Sequence, residues 1–350
     1  MKARPVDWPA AAARAARLIP RDRLHPGVLA WCDARPGAER WGVALSGGAD
    51  SVGLLLLLWA HWPERRGRLW AFHFNHRLRG AESAADARFC AGVCAALGVP
   101  LVSGRWGAAR SSLGGAQARS ARFAFIEREM ARRRVRVLWL GHQQDDIAET
   151  MLMRVARGSG GAGLAAPRPI HALAPRRAGG APRFHARPLL TLKKLEIARA
   201  LRAAGAPWRE DSSNAKGVHF RNRLRLDVIP LWVRAAQRDA LSGAALSREL
   251  LEEDDRALEA WVDFLGPVGA DGSLSVTRLA GRPRAIVRRA LHRWLLLQPR
   301  AGELSRQGFD ALLRAVERGA TVRHSLGPEG FAAIRAGRLR FEPIRRRTPH

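Results

Sequence analysis

Through the first two thirds of the chain, apolar residues come in short runs broken by polar turns. Trp41 to Leu45 is a short run and Val52 to Ala60 a longer one, with a Ser/Gly turn between them. Length separates the two: the first fits a buried strand, the second a buried helix. The same alternation then repeats. Strands are expected at 42–45, 68–75, from 101 onward, and at 135–141. Helices are expected at 52–62, 84–98, 117–134 and 146–157. Pro63 closes the first of these helices, and Gly98 with Pro100 stops the second. A lead-in helix falls at 11–18. Strands alternating with helices imply βαβ units and a parallel sheet with both faces covered.

Beyond 157 the pattern loosens. Residues 158–188 are rich in Gly, Pro, Ala and Arg. That is too long for an ordinary connection, so a hairpin around Gly179-Gly180 and a mobile part closing over substrate are expected. A helix follows at 193–204, a polar loop at 208–222, and a helix or turn at 224–232. From about 234 the period becomes helical, at 241–264, 283–297 and 305–318. Short alternations around Gly327, Gly330 and Gly337 suit small strands. The expected division is a helical lead-in at 1–39, an α/β domain at 40–233, and a smaller, mostly helical domain at 234–350. The fold class is α/β, a parallel twisted sheet flanked by helices.

Charge changes the picture of partners. The 350-residue chain carries a formal net charge of +29, and its only lysines are Lys2, Lys193, Lys194 and Lys216. Arginine binds phosphate in a bidentate manner and stacks on bases, so a nucleic acid is the expected partner. Codon bias toward Ala, Arg and Gly accounts for part of the excess. Cys32, Cys90 and Cys94 form neither a disulfide framework nor a zinc pattern, which suits a reducing compartment. No apolar run approaches the roughly 20 residues of a membrane span, and the N-terminus lacks a signal-peptide core. A cytoplasmic protein is expected.

Candidate chemistry sits where the strands end. In open α/β sheets ligands bind at the carboxyl ends of strands. Ser46-Gly47-Gly48-Ala49-Asp50-Ser51 follows the first strand and opens a helix. Two glycines allow a tight turn and close approach. The helix start supplies N–H groups and a positive dipole end. This is a phosphate cradle, with Asp50 as a handle for a metal. It is neither a Walker loop nor a dinucleotide fingerprint. His76, in the Asn75-His76-Arg77-Leu78-Arg79 cluster, ends the second strand. Arg119 and Arg122 share a helix face and can neutralise charge as a polyphosphate leaves. Asp146 and Glu149 share the face of the helix after the fourth strand. Helix capping explains acids there. An acidic pocket for a metal or an amine is the functional reading of the same residues. Arg221 and Arg225 lie in an arginine-dense segment suited to an RNA backbone.

The Ser-Gly-Gly-x-Asp-Ser turn resembles the pyrophosphate loop of the N-type ATP pyrophosphatases, and the ordered set resembles the tRNA(Ile)-lysidine synthases. The motifs that carry this are the turn itself, Asn75 to Arg79, Gln117 to Phe123, Gly141-His142 with Asp145-Asp146 and Glu149-Thr150, Arg157 to Gly160 with Gly163-Leu164, Arg187 to Leu190, Trp208 with Glu210 to Asn214, Arg221-Asn222 with Arg225, and Ile229 to Leu231. They cover roughly 40–232. The resemblance implies an ATP pyrophosphatase domain in which ATP adenylates the wobble cytidine at C2 in an isoleucine tRNA with anticodon CAU. Free L-lysine then displaces AMP. It implies that Ser46 to Ser51 hold ATP with Mg²⁺ on Asp50, that His76, Arg119 and Arg122 line the ATP site, and that Asp146 and Glu149 bind lysine. Asp50, Asp146 and Glu149 are then the catalytic acids, and Arg221 and Arg225 touch tRNA. A homodimer is compatible with it. Gln143, Ile147, Arg77 and Ala165-Ala166 depart from the family pattern. A tRNA thiolation enzyme on the same scaffold, or a non-catalytic RNA binder, are the alternatives. The first would want a Cys-x-x-Cys pair that is missing.

Overall fold

A computed structural model describes residues 5–76, 80–106, 115–173, 180–210, 220–298 and 304–344. The chain divides into two compact units, Met1–Leu251 and Glu252–His350. This division falls later than the 233/234 boundary expected from the change of period.

The first unit is built on a six-stranded sheet of order β3-β2-β1-β4-β6-β5. Its strands are β1 (Trp41–Ala44), β2 (Leu69–Asn75), β3 (Leu101–Arg105), β4 (Val137–Trp139), β5 (Ile170–Leu173) and β6 (Arg183–Ala186). Every neighbouring pair is parallel except β5 with β6. β1 is central, and its continuous burial matches its unbroken apolar sequence. The order reverses between β1 and β4. A crevice therefore opens beyond the carboxyl ends of these two strands. The Ser/Gly turn leaves β1, and the Gly141-His142 segment leaves β4.

The helix Ala49–His61 starts directly at the Ser/Gly turn, three residues before the apolar run begins. Leu54 to Leu58 are all at most 1% exposed. A helix apolar on every side must be covered on every side. Here the lead-in helices Trp8–Leu18 and Pro26–Asp33 and the helix Lys194–Ala203 join it in one core with β1. The lead-in residues are thus part of the first unit's core. Gly53 allows the closest approach, because a Cβ there would lie 2.9 Å from Ile197.

The 158–188 stretch carries more structure than its composition suggests. It holds a short helix, Gly161–Leu164, and the antiparallel pair β5 and β6. Gly179 of the expected turn lies outside the described residues. Beyond the polar loop, 220–235 is helical throughout, with a π-turn at Leu224–Val228.

The second unit contains the later part of the helix Ala240–Leu265, the helices Val276–Leu279, Arg284–Leu296 and Arg306–Arg318, and a small sheet. The sheet comprises β7 (Leu274–Ser275), β8 (Val322–Ser325), β9 (Gly330–Arg335) and β10 (Arg338–Pro343), in the order β7-β10-β9-β8. Trp294, Leu291, Leu313, Ile334 and Leu339 are the centre of its core. Asp255 and Glu259 pair with Arg289, and Glu259 and Asp263 pair with Arg293. These ion pairs tie the helix Ala240–Leu265 to the helix Arg284–Leu296.

Candidate active site

The crevice at the reversal point is a cavity of about 980 Å³. It is lined by Ser46, Gly48 to Ser51, His76, Arg122 and His142, and also by Lys194 and Arg225.

The turn is organised by its own last residue. Ser51 Oγ accepts the N–H of Ser46 (3.1 Å) and of Gly47 (3.2 Å) and donates to the Gly48 carbonyl (2.9 Å). Ser46 Oγ lies 3.0 Å from it. Ser51 is buried and shapes the turn from within, whereas Ser46 is exposed to the cavity. Gly47 takes φ +93°, the left-handed region that glycine enters without a Cβ penalty. The main-chain N–H of Arg209 donates to the Gly47 carbonyl at 2.9 Å, and its Nε donates to Asp86 at 2.8 Å. The segment after Trp208 therefore braces the turn. From the other side Gly141 packs on the start of the helix; a Cβ there would lie 2.8 Å from the Asp50 carbonyl oxygen.

Asp50 and Arg122 each bury a polar atom that makes no hydrogen bond. Asp50 Oδ1 is buried and makes no hydrogen bond. Burial, and then the nearby Asp146 carboxylate, push its pKa up to about 7. Arg122 Nε is also buried without a partner. Burial and the neighbouring Arg119 and Arg221 pull its pKa down to about 10. A buried charge without a partner is costly. An anion beside Arg122 and a cation beside Asp50 would relieve both. Among the described residues no group of three or more His, Cys, Asp or Glu could cage a metal. Mg²⁺ does not need one, because it is held by one or two carboxylates plus substrate phosphates and water. Asp50 fits that role. The guanidinium groups of Arg119 and Arg122 lie 5.2 and 5.3 Å from the Phe123 ring centroid. His76 lies edge-on to Phe74 and Trp106, with centroids 4.9 and 5.8 Å away.

The acidic pair occupies the start of the helix Gln144–Val155. Asp146 Oδ2 accepts the Gln143 N–H at 3.0 Å, and Gln143 Oε1 accepts the Asp145 N–H at 2.6 Å, in a reciprocal cap. Gln143, one of the departures from the family pattern, thus has a structural role. Asp146 Oδ1 accepts from Arg221. Glu149, fully buried, accepts from Arg221 on one oxygen and from Arg225 Nε on the other at 2.6 Å. The two acids and the two arginines, read in the sequence as separate sites, form one four-residue cluster. Their spacings were the available signal: acids three apart and arginines four apart each present one helix face. Arg77 and Arg79 lie outside the described residues.

Lys194 and Cys90 are among the site residues that escaped the sequence reading. Lys194 stands at the start of its helix, where its N–H donates to Asp145 at 3.0 Å, and it lines the cavity near Asp50. Its Lys-Lys sequence context carries no signal of a site. Cys90, remote in sequence, lies beneath Gly47, where a Cβ would be 3.4 Å from its sulfur. Burial pushes the thiols of Cys90 and Cys94 up to about 12. They are packing groups, not nucleophiles.

A PP-loop domain model matches residues 28–232. A tRNA(Ile)-lysidine synthase of Geobacter sulfurreducens is 37% identical over 79% of this chain and 58% of its own length. One of Symbiobacterium thermophilum is 34% identical over 91% of this chain and 68% of its own. The chain belongs to the tRNA(Ile)-lysidine synthase family. It spans from about half to about two thirds of the length of these family members. A solved U34-tRNA thiolase of Methanococcus maripaludis is a looser likeness, at 15% identity and a TM-score of 0.47 over 69% of this chain and 78% of that one. The matched PP-loop domain supports the use of ATP. Among the described residues no helix is long and apolar enough to cross a membrane.

Proposed function

We propose that the chain activates the wobble cytidine of tRNA(Ile) with anticodon CAU using ATP, and then joins L-lysine to C2 through its ε-amine. The overall change is ATP to AMP and pyrophosphate, with lysidine formed in the tRNA, and decoding moves from AUG to AUA. The observation that carries this reading is that Asp50 Oδ1 and Arg122 Nε, each buried without a hydrogen bond, belong to residues lining one cavity with the turn. A polyphosphate with its cation is the ligand chemistry that satisfies both.

In this reading Ser46, Gly47, Gly48 and Ala49 meet the phosphates and Ser51 holds the turn in shape. Arg119 and Arg122 take up negative charge as pyrophosphate departs. Asp50 would hold Mg²⁺, which supplies charge neutralisation on the phosphates. His76 borders the nucleotide. Asp146 and Glu149 are the groups for the lysine ammonium. Arg221 and Arg225 now hold the positions that an ammonium would take. An amine reaches the carboxylates only when one guanidinium yields, and an RNA phosphate is a fitting alternative partner for it. The tRNA role read for Arg221 and Arg225 thus becomes an exchange of partners. The buried thiols disfavour thiolation. The reducing cytoplasm suits these free cysteines, and a homodimer is compatible with the reading. The test is ATP–pyrophosphate exchange with and without tRNA(Ile) transcript, followed by lysine addition. Exchange that needs the transcript supports the proposal. Exchange supported by lysine alone would mean that the amino acid, not the RNA, is adenylated.

A further inference from the structure

Arg187 ends β6 and is 8% exposed. Its Nη1 donates to the Arg168 carbonyl at 2.7 Å. Its own N–H donates to the Pro169 carbonyl at 2.8 Å. Both ends of the residue are therefore fixed to the chain just before β5. Its Nε reaches His142 Nδ1 at 3.2 Å. A guanidinium offers only N–H groups and accepts nothing. In this contact His142 Nδ1 must supply the lone pair. A neutral imidazole then carries its proton on Nε2.

His142 lines the ATP cavity and Arg187 does not. The arginine thus fixes the ring of a cavity-lining residue from outside the lining. The surroundings keep the ring neutral. Burial, then Arg187 at the end of β6, Arg119 and Arg122 on the helix Gly115–Arg132, and Arg221 on Phe220–Arg223 all oppose a further positive charge there.

We propose that Arg187 is a positioning residue that fixes His142 as the Nε2–H tautomer. His142 is thereby a hydrogen-bond donor into the cavity, and not the base that deprotonates the incoming amine. The acceptor chemistry is a phosphoryl oxygen, since the ring shares its cavity with Arg122 and the Ser/Gly turn. That last assignment rests on the ATP reading above; the tautomer does not.

The test separates the two. Histidine-labelled full chain, observed by ¹⁵N–¹H correlation, reports which ring nitrogen of His142 carries the proton, with the resonance assigned by its loss in His142→Gln. A proton on Nε2 alone, unchanged from about pH 6 to about pH 8, is expected. A proton on Nδ1, or a doubly protonated ring at the acid end, overturns the proposal. Arg187→Met should release the ring to mixed tautomers, while burial and the remaining arginines keep it neutral; a ring still locked on Nε2–H in that variant also overturns it. Should that variant not fold, two carboxamide replacements of His142 give the answer with Arg187 intact. A glutamine side chain can place its amide nitrogen near the position of Nε2, and the shorter asparagine near that of Nδ1. His142→Gln should keep ATP–pyrophosphate exchange within about tenfold, and His142→Asn should lose about a hundredfold. The reverse order contradicts a donor at Nε2. A confirmed tautomer with exchange absent from the unmodified chain would refute the ATP reading and leave the tautomer standing.

Discussion

Asp50 and Arg122 are each destabilising alone and compatible together with a ligand. For Asp50 the sign follows from its raised pKa. The folded chain holds this proton up to about pH 7, whereas an unfolded aspartate releases it near 3.8. Stability from this group is therefore full below the unfolded value and falls as pH rises toward 7. Asp50→Asn should raise the Tm of the ligand-free chain, by more at pH 8 than at pH 5, while abolishing Mg²⁺-dependent ATP binding. Thermal melts at the two pH values check this, and a stabilisation independent of pH would contradict it. Glu149, by contrast, is a paired charge. Its two oxygens hold Arg221 and Arg225 in a fully buried cluster. Glu149→Gln should cost about 3 kcal/mol in denaturant unfolding, because it strips the arginines of a charge. Loss of activity in that variant is thus not evidence of a lysine contact unless stability is measured beside it.

Among the elements, the close approach of β4's exit to the PP-loop helix decides the site. Gly141→Ala would press a methyl against the Asp50 main chain. ATP affinity should fall about a hundredfold with the far-ultraviolet spectrum unchanged; unaltered affinity by titration calorimetry would show that the turn has room to give. This contact lies between segments distant in sequence and could not be read from it. What could be read were features with local causes. The Ser/Gly turn, the apolar run after it and the capping acids at 145–146 all announced themselves. The hairpin expected around Gly179-Gly180 matches the antiparallel pair β5 and β6, but the sequence did not reveal that β6 lies beside β4 and delivers Arg187 to His142. The clustering of Asp146 and Glu149 with Arg221 and Arg225 was hidden for the same reason: complementary faces are visible in a sequence, but their meeting is not. The alternations around Gly327, Gly330 and Gly337 correctly suggested small strands, whereas β7 is only Leu274–Ser275 and has no period to detect.

For the chain taken together, a net charge of +29 carried almost entirely by arginine makes association with RNA an electrolyte-dependent process. Affinity for a tRNA transcript should fall about a hundredfold or more between ~50 and ~200 mM salt; a flat response in filter binding would contradict phosphate-led binding. In the proposed reaction the charge steers an RNA to the molecule, and the cavity decides what is done to it. The most direct test of that chemistry is to incubate the chain with ATP, Mg²⁺, labelled L-lysine and a tRNA(Ile) transcript bearing the CAU anticodon, and to digest the RNA to nucleosides. Label should appear in a modified cytidine at the wobble position, and only when ATP is present. ATP turned over to AMP and pyrophosphate with no lysine in the RNA would refute the proposed reaction.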